Sequence, residues 1–243
     1  MLMNILAIDT TTKIAAVSIL NQNKIYNNFI DNEITHSEKL LPLIDKTLND
    51  ANLKLKDINM FACINGPGSF TGIRIGLSTL KAFSQVYKQD IFSISSLSLI
   101  GYSTYILENL ETIYSINFID ARNDRVYYNI TKVYKNETNK IIIEEVFPTS
   151  NDIIDDAISN IISFISTNHI DMNLLHISGN ATKKFREKLI KVSPNMHDFY
   201  PNTDTLIHAI ENISNIKNYL FNAFSLDAMY ARPSQAERMQ KNG

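Results

Sequence analysis

The 243-residue chain carries a formal net charge of −2, which argues against an autonomous nucleic-acid binder with its strong basic excess. A single cysteine, Cys63, excludes an internal disulfide, and 44% apolar residues is ordinary for a globular protein with ample core. The apolar run from Met1 to Ile8 meets Asp9 too early for a signal peptide or a membrane span, so a cytoplasmic type of soluble protein is expected.

Residues 4–8 read as a central strand. Asp9-Thr10-Thr11-Thr12 then turns the chain into a second strand over 14–20, and Asn21-Gln22-Asn23 turns it into a third near 25–30. Thr35 with Glu38 three residues on forms a capping-box pattern. It opens a helix carrying Leu40, Leu41, Leu43, Ile44, Leu48 and Ala51, with Pro42 inside it to kink it or tighten its first turns.

A strand over 60–65, in which Cys63 is a small core residue, leads into Gly66-Pro67-Gly68-Ser69-Phe70-Thr71-Gly72-Ile73-Arg74-Ile75-Gly76. That stretch holds four of the chain's seven glycines. A helix over 71–87, a short strand over 91–94 and a helix over 97–109 complete the first set. A second set begins with strands over 113–120, 125–133 and 141–147. Helices follow at about 152–167 and 182–191 around a strand over 174–178, and a last helix spans about 204–222. The repeated order, a meander and then alternating helices and strands, implies two similar α/β lobes. We place them at residues 1–109 and 110–203, with 204–243 as a final helix and tail packing back on the first lobe.

The glycine stretch joins a strand to a helix, the arrangement that aims backbone N–H groups at an anion. It lacks the Lys-Ser/Thr of a P-loop, and Gly66, Gly68 and Gly72 are spaced one residue too far for the dinucleotide fingerprint. Two readings stay open: a ligand-contacting loop around Gly66, Gly68 and Ser69, or a tight turn with close helix packing through Gly72 and Gly76. Asp9, Thr10 and Thr11 can hold a phosphate with the carboxylate placing Mg²⁺, or simply stabilise their own turn. Asp120, in Asp120-Ala121-Arg122, ends the first strand of the second set in the same way, as a cleft-bound nucleotide would require; an exposed turn ion pair explains it nearly as well.

The five histidines, His36, His169, His176, His197 and His208, show no pair at helical metal-ligand spacing, so no metal site is read. G-x-S-x-G is absent, and no residue is assigned a catalytic role. Lys183, Lys184, Arg186, Lys188 and Lys191 form a basic patch that reads as a solvated helix face. The helices of the first set are more telling. Ile73, Leu77 and Leu80 follow Gly72 and Gly76 on a helix that is apolar on more than one face, which calls for full burial or a partner.

Several stretches together resemble the ordered motifs of the TsaB (YeaZ) family: Ile8-Asp9-Thr10, His36-Ser37-Glu38-Lys39-Leu40-Leu41-Pro42, Asn65 through Leu77, and Asp120-Ala121-Arg122. Tyr230-Ala231-Arg232-Pro233 and Ala236-Glu237 are similar to the family's closing segment. The resemblance implies a two-lobed α/β fold of the actin, Hsp70 and hexokinase (ASKHA) type, each lobe a mixed sheet flanked by helices. It implies a non-catalytic subunit in making N6-threonylcarbamoyladenosine in tRNA. The larger sister TsaD transfers the threonylcarbamoyl group and the ATPase TsaE assists.

On this resemblance the chain pairs with TsaD, or with itself, through its first two helices. The implied interface residues are His36, Leu40, Leu41, Ile44, Leu48, Ile73, Gly76, Leu77 and Leu80. ATP and Mg²⁺ act at the level of the complex, tRNA is met only through the complex, and no membrane is involved. The sister's metal-binding H-x-x-x-H corresponds here to Ser96 and Ile100, and its glycine-rich nucleotide turn is reduced to Ser178-Gly179-Asn180-Ala181. Asp9, Thr10, Thr11, Gly66, Gly68, Ser69, Asp120 and Gly179 are thus expected to form a degenerate nucleotide site. The alternatives are a stand-alone ATPase or kinase of the same fold, and a glycopeptidase.

Overall fold

A computed structural model describes residues 3–31 and 36–231. The chain runs β1 (Ile5–Asp9), β2 (Ile14–Asn21), β3 (Lys24–Asp31), α1 (His36–Asp50), β4 (Met60–Ile64), α2 (Phe70–Tyr87) and β5 (Ile91–Ile94). It continues through α3 (Ser96–Glu108), β6 (Thr112–Asp120), β7 (Arg125–Lys135), β8 (Ile141–Ile153), α4 (Ile154–Thr167) and β9 (Leu175–Ser178). The single turn α5 (Arg186–Leu189), β10 (Met196–His197), α6 (Thr203–Asn212) and β11 (Leu220–Phe221) complete it. Among the described residues two compact units result: 3–31 and 36–96 with 201–229, and 97–200 with 230–231.

The first unit holds a six-stranded sheet in the order β11-β5-β4-β1-β2-β3. β1 lies antiparallel to β2, Ile8 opposite Val17, and parallel to β4, Ile8 opposite Cys63. Every residue of β1 and β4 is buried, which is why both read as unbroken apolar runs rather than alternating ones. Leu6, Ile8, Val17 and Ile19 pack with Leu40, Ile44 and Leu48 of α1 and Ile73, Leu77 and Leu80 of α2. Each such side chain contributes about 1.5–3 kcal/mol by leaving water. α6 packs on β1 and β2. There Ser18 Oγ meets Thr203 Oγ1 and donates to the Asp204 carboxylate, both at 2.6 Å.

The second unit holds a five-stranded sheet in the order β10-β9-β6-β7-β8. Strand alternation splits its two faces. One face, with Ile116, Phe118, Val126, Tyr128, Leu175 and Ile177, packs on Ile154, Ala157, Ile161 and Ile165 of α4. The other presents Ser115, Asn117, Thr131, His176 and Ser178, all buried. Thr104 of α3 donates to Ser178 Oγ at 2.7 Å, and Asn117 donates to Asn129 Oδ1 at 2.8 Å and Thr131 Oγ1 at 3.0 Å. Gly101 lets α3 approach this layer, since a Cβ there would run into Thr131 Oγ1.

Several sequence expectations need correction. The units divide at Ser96/Leu97 rather than at residue 109, because α3 covers the polar face of the second sheet. The helix expected over 182–191 is only Arg186–Leu189: Gly179 at φ +121° and the bond from Thr182 Oγ1 to its carbonyl keep the preceding residues in turns. The helix expected over 204–222 ends at Asn212. Asn215 takes φ +52°, and Leu220 and Phe221 pair with β5 instead. Thr35, and the closing segment from Arg232 onward, lie outside the described residues. α1 runs unbroken through Pro42.

Candidate functional site

The turn after β1 and the glycine loop before α2 are folded onto each other. Thr11 N and Oγ1 both donate to Asp9 Oδ1, at 2.8 and 2.6 Å, so the carboxylate stabilises its own turn. Thr10 Oγ1 donates to the Gly72 carbonyl at 2.7 Å, and Ser69 N donates to the Thr11 carbonyl at 2.6 Å. Ser69 then caps α2 by accepting from Gly72 N at 3.2 Å.

The glycines make this contact fit. A Cβ on Gly72 would fall on the Thr10 carbonyl oxygen, and one on Gly68 on the Thr11 carbonyl oxygen. Gly66, at φ +111° before a cis peptide to Pro67, has the Met229 carbonyl 2.6 Å from where its Cβ would lie. Ser96, at one position expected to replace a metal-binding histidine, donates to the Pro67 carbonyl at 2.9 Å. The loop is therefore filled by its own chain, as the tight-packing reading requires.

In the second unit Asp120 ends β6. Its Oδ1 accepts from Arg122 N at 2.9 Å and pairs with Lys184 Nζ at 3.1 Å. Its own N–H donates to Asn180 Oδ1 at 3.0 Å, next to Gly179, where the Phe118 carbonyl occupies the space of a Cβ. Of the basic patch, Lys184 is thus spent on Asp120 and Lys188 on Asp155 at 2.8 Å.

Seven of the nine expected partner residues are buried within this chain, while Leu41 is exposed and the side chain of His36 lies outside the described residues. Leu40, Ile44, Leu48, Ile73, Leu77 and Leu80 are all core, none more than 6% exposed, and Gly76 is buried against Thr10. They hold the helices to the sheet and have no side chain to offer a partner. Apolar faces of α1 and α2 pointed correctly to burial, and the choice between core and interface could not be made from periodicity. The residues that the two helices present outward include Leu41, 55% exposed, Pro42, Arg74, Ser78 and Val86, 70% exposed.

One cluster escaped the sequence reading. Glu108, the last residue of α3, lies 2.8 Å from Nε2 of His197 and 3.6 Å from Nδ1 of His176. His176 is buried in β9, His197 sits in β10, and their rings stack at 5.9 Å. Burial holds the His176 imidazole below its ordinary pKa, and nearby His197 adds to this while Glu108 opposes it. The three residues come from three separate elements, so no spacing rule along the chain could have joined them. Among the described residues, no helix is long and apolar enough to cross a membrane.

Two mixed sheets flanked by helices, with a glycine loop closed on the first β-turn, define a class already represented among solved structures. YeaZ from Pseudomonas aeruginosa matches with a TM-score of 0.68 at 17% identity, covering 94% of this chain and 100% of that one, which establishes the fold. The family model described as TsaD: tRNA N6-adenosine threonylcarbamoyltransferase matches residues 24–219, and the chain belongs to that family.

Among curated proteins, similarity is to those named tRNA threonylcarbamoyladenosine biosynthesis protein TsaB. The one from Buchnera aphidicola subsp. Schizaphis graminum is 40% identical over 97 residues, 40% of this chain and 46% of that protein. The one from Escherichia coli K12 is 30% identical over 126 residues, 52% of this chain and 54% of that protein. The chain thus spans about half the length of these curated relatives.

Proposed function

We propose that this chain is a non-catalytic subunit in the biosynthesis of tRNA threonylcarbamoyladenosine. It pairs with the threonylcarbamoyltransferase TsaD, with the ATPase TsaE assisting, and with a second copy of itself when alone. ATP and Mg²⁺ enter at the level of that complex, tRNA is met through it, and the setting is the cytoplasm. The observation that supports this best is the closed loop: Asp9, Thr10, Thr11, Gly68, Ser69 and Gly72 satisfy one another. A phosphate there would displace hydrogen bonds within the protein and sit beside a buried carboxylate. Positions Ser96 and Ile100 offer no metal ligand of useful strength, and both are buried.

The pairing surface in this reading is the outward face of α1 and α2 around Leu41, Arg74, Ser78 and Val86. Reconstituted threonylcarbamoyl transfer to tRNA tests the assignment. Transfer by TsaD is expected to require this chain, and the chain alone is expected to transfer nothing. Equal transfer without it, or transfer by the chain alone, would overturn the reading.

A further inference from the structure

The Glu108, His176 and His197 cluster lies wholly within the second unit. Its donor atoms all fall within 4.8 Å of one another. His176 is 3% exposed, and among the described residues neither of its ring nitrogens has a hydrogen-bond partner, and His197 Nε2, though 2.8 Å from Glu108 Oε1, makes no hydrogen bond of acceptable geometry. A buried imidazole left in this state, as His176 is, costs stability unless something occupies it.

The backbone adds a second reason for a cation. Glu108 ends α3, whose last turn holds no basic residue, so its carboxylate sits at the negative end of the helix dipole. A carboxylate placed there calls for a compensating positive charge. Asn109 at φ +51°, its N–H donating to the Tyr105 carbonyl at 3.1 Å, closes the helix and fixes the Glu108 backbone. On the far side, β10 is short and pairs in parallel with β9, placing His197 opposite Ser178 and two residues along from His176. The fold thereby brings one oxygen and two nitrogen donors to a single point.

We propose that Glu108, His176 and His197 bind a divalent transition metal of the zinc class. Two neutral imidazoles and one carboxylate are a donor set such ions favour over the all-oxygen sets of Ca²⁺ and Mg²⁺. Tetrahedral ligands about 2.0–2.2 Å from one ion are about 3.3–3.6 Å apart. The 3.6 Å between Glu108 and His176 already matches, and the 2.8 Å between Glu108 and His197 needs a small opening. The ion occupies the gap between the facing donors. Glu108 and His197 are each 26% exposed on their side chains, so the ion enters from their side of the cluster. Bound there, it ties the end of α3 to the edge of the second sheet.

The test uses the full chain stripped with a chelator, then titrated with Zn²⁺ by calorimetry and with Co²⁺ by visible absorption. One ion per chain is expected, with the intense visible bands of a tetrahedral Co²⁺ site. Glu108→Gln and His197→Ala, both at partly exposed positions, are expected to weaken binding at least about tenfold. His169→Ala, at an exposed histidine elsewhere, is expected to leave binding unchanged. Zn²⁺ should raise the melting temperature of the wild-type chain and not that of Glu108→Gln. Absence of stoichiometric binding to the wild-type chain would overturn the proposal, as would folded Glu108→Gln and His197→Ala variants that bind like wild type.

Discussion

Thr10 and Gly72 are in backbone contact across the first unit: Thr10 Oγ1 donates to the Gly72 carbonyl at 2.7 Å, and the Thr10 carbonyl fills the place of a residue-72 Cβ. Alanine at position 72 would gain about 1 kcal/mol of helix propensity. The clash is with backbone on a buried turn, which has no room to yield, and it outweighs that gain. Gly72→Ala is expected to destabilise the chain by about 1–3 kcal/mol, seen as a lower urea midpoint at unchanged slope.

Leu40 and Leu41 are neighbours with opposite tasks. Leu40 is 1% exposed in the core and Leu41 is 55% exposed on the outer face of α1. Leu40→Ala is expected to cost about 2–5 kcal/mol in thermal or urea unfolding. Leu41→Ala should stay within about 0.5 kcal/mol of wild type, and Leu41→Glu should weaken self-association at least about tenfold while the fold persists. Sedimentation of the folded Leu41→Glu chain checks the second half. Leu40→Glu or Leu77→Glu would not serve, because burying a charge in the core unfolds the unit before any interface is questioned.

The buried polar layer under α3 sets a third expectation. Asn117 donates to both Asn129 and Thr131, and all three are fully buried. Asn117→Ala removes both bonds and also the one its Oδ1 accepts from Ser115 Oγ at 2.7 Å, leaving two acceptors and a donor short of a partner in the interior. A loss of about 2–4 kcal/mol is expected by chemical denaturation. Thr104→Val, which keeps the shape while dropping a hydroxyl, should cost less.

Cys63 gives a pH dependence. Burial, chiefly, pushes its thiol up to about 12, well above the ordinary 9.0. Because the folded pKa is raised, the neutral thiol's contribution is fully present below pH 9.0 and is lost as pH rises toward 12. Stability is expected to fall by up to about 1.4 kcal/mol per pH unit over that window from this group alone. Cys63→Ala should flatten that fall. Alkylation of the native wild-type chain at pH 8 should be slow and should become fast on unfolding.

Much of the architecture was legible. Apolar runs at β1 and β4, the turn residues at Asn21-Gln22-Asn23 and the glycine loop place the first sheet and α2 because local patterning and tertiary burial agree there. The failures fall where they part. Residues 182–191 carry helix-forming Lys, Arg and Glu, yet the Gly179 and Thr182 turns limit the helix to four residues. Ser115, Asn117 and Thr131 alternate with apolar residues as a solvated strand face would, and the packing of α3 against that face helps to make it interior. Glu108, His176 and His197 meet through β-pairing of a two-residue strand that leaves almost no signal of its own. The glycine loop was the opposite case: its importance was plain in the sequence, and the structure decides that its glycines admit the chain's own carbonyls.

The most direct test of the subunit assignment is the mass in solution of the purified chain, alone and mixed with its cognate TsaD. A homodimer that exchanges into a one-to-one heterodimer, with Leu41→Glu defective in both, is the expected result. A monomer that ignores TsaD at every concentration tried would contradict the assignment.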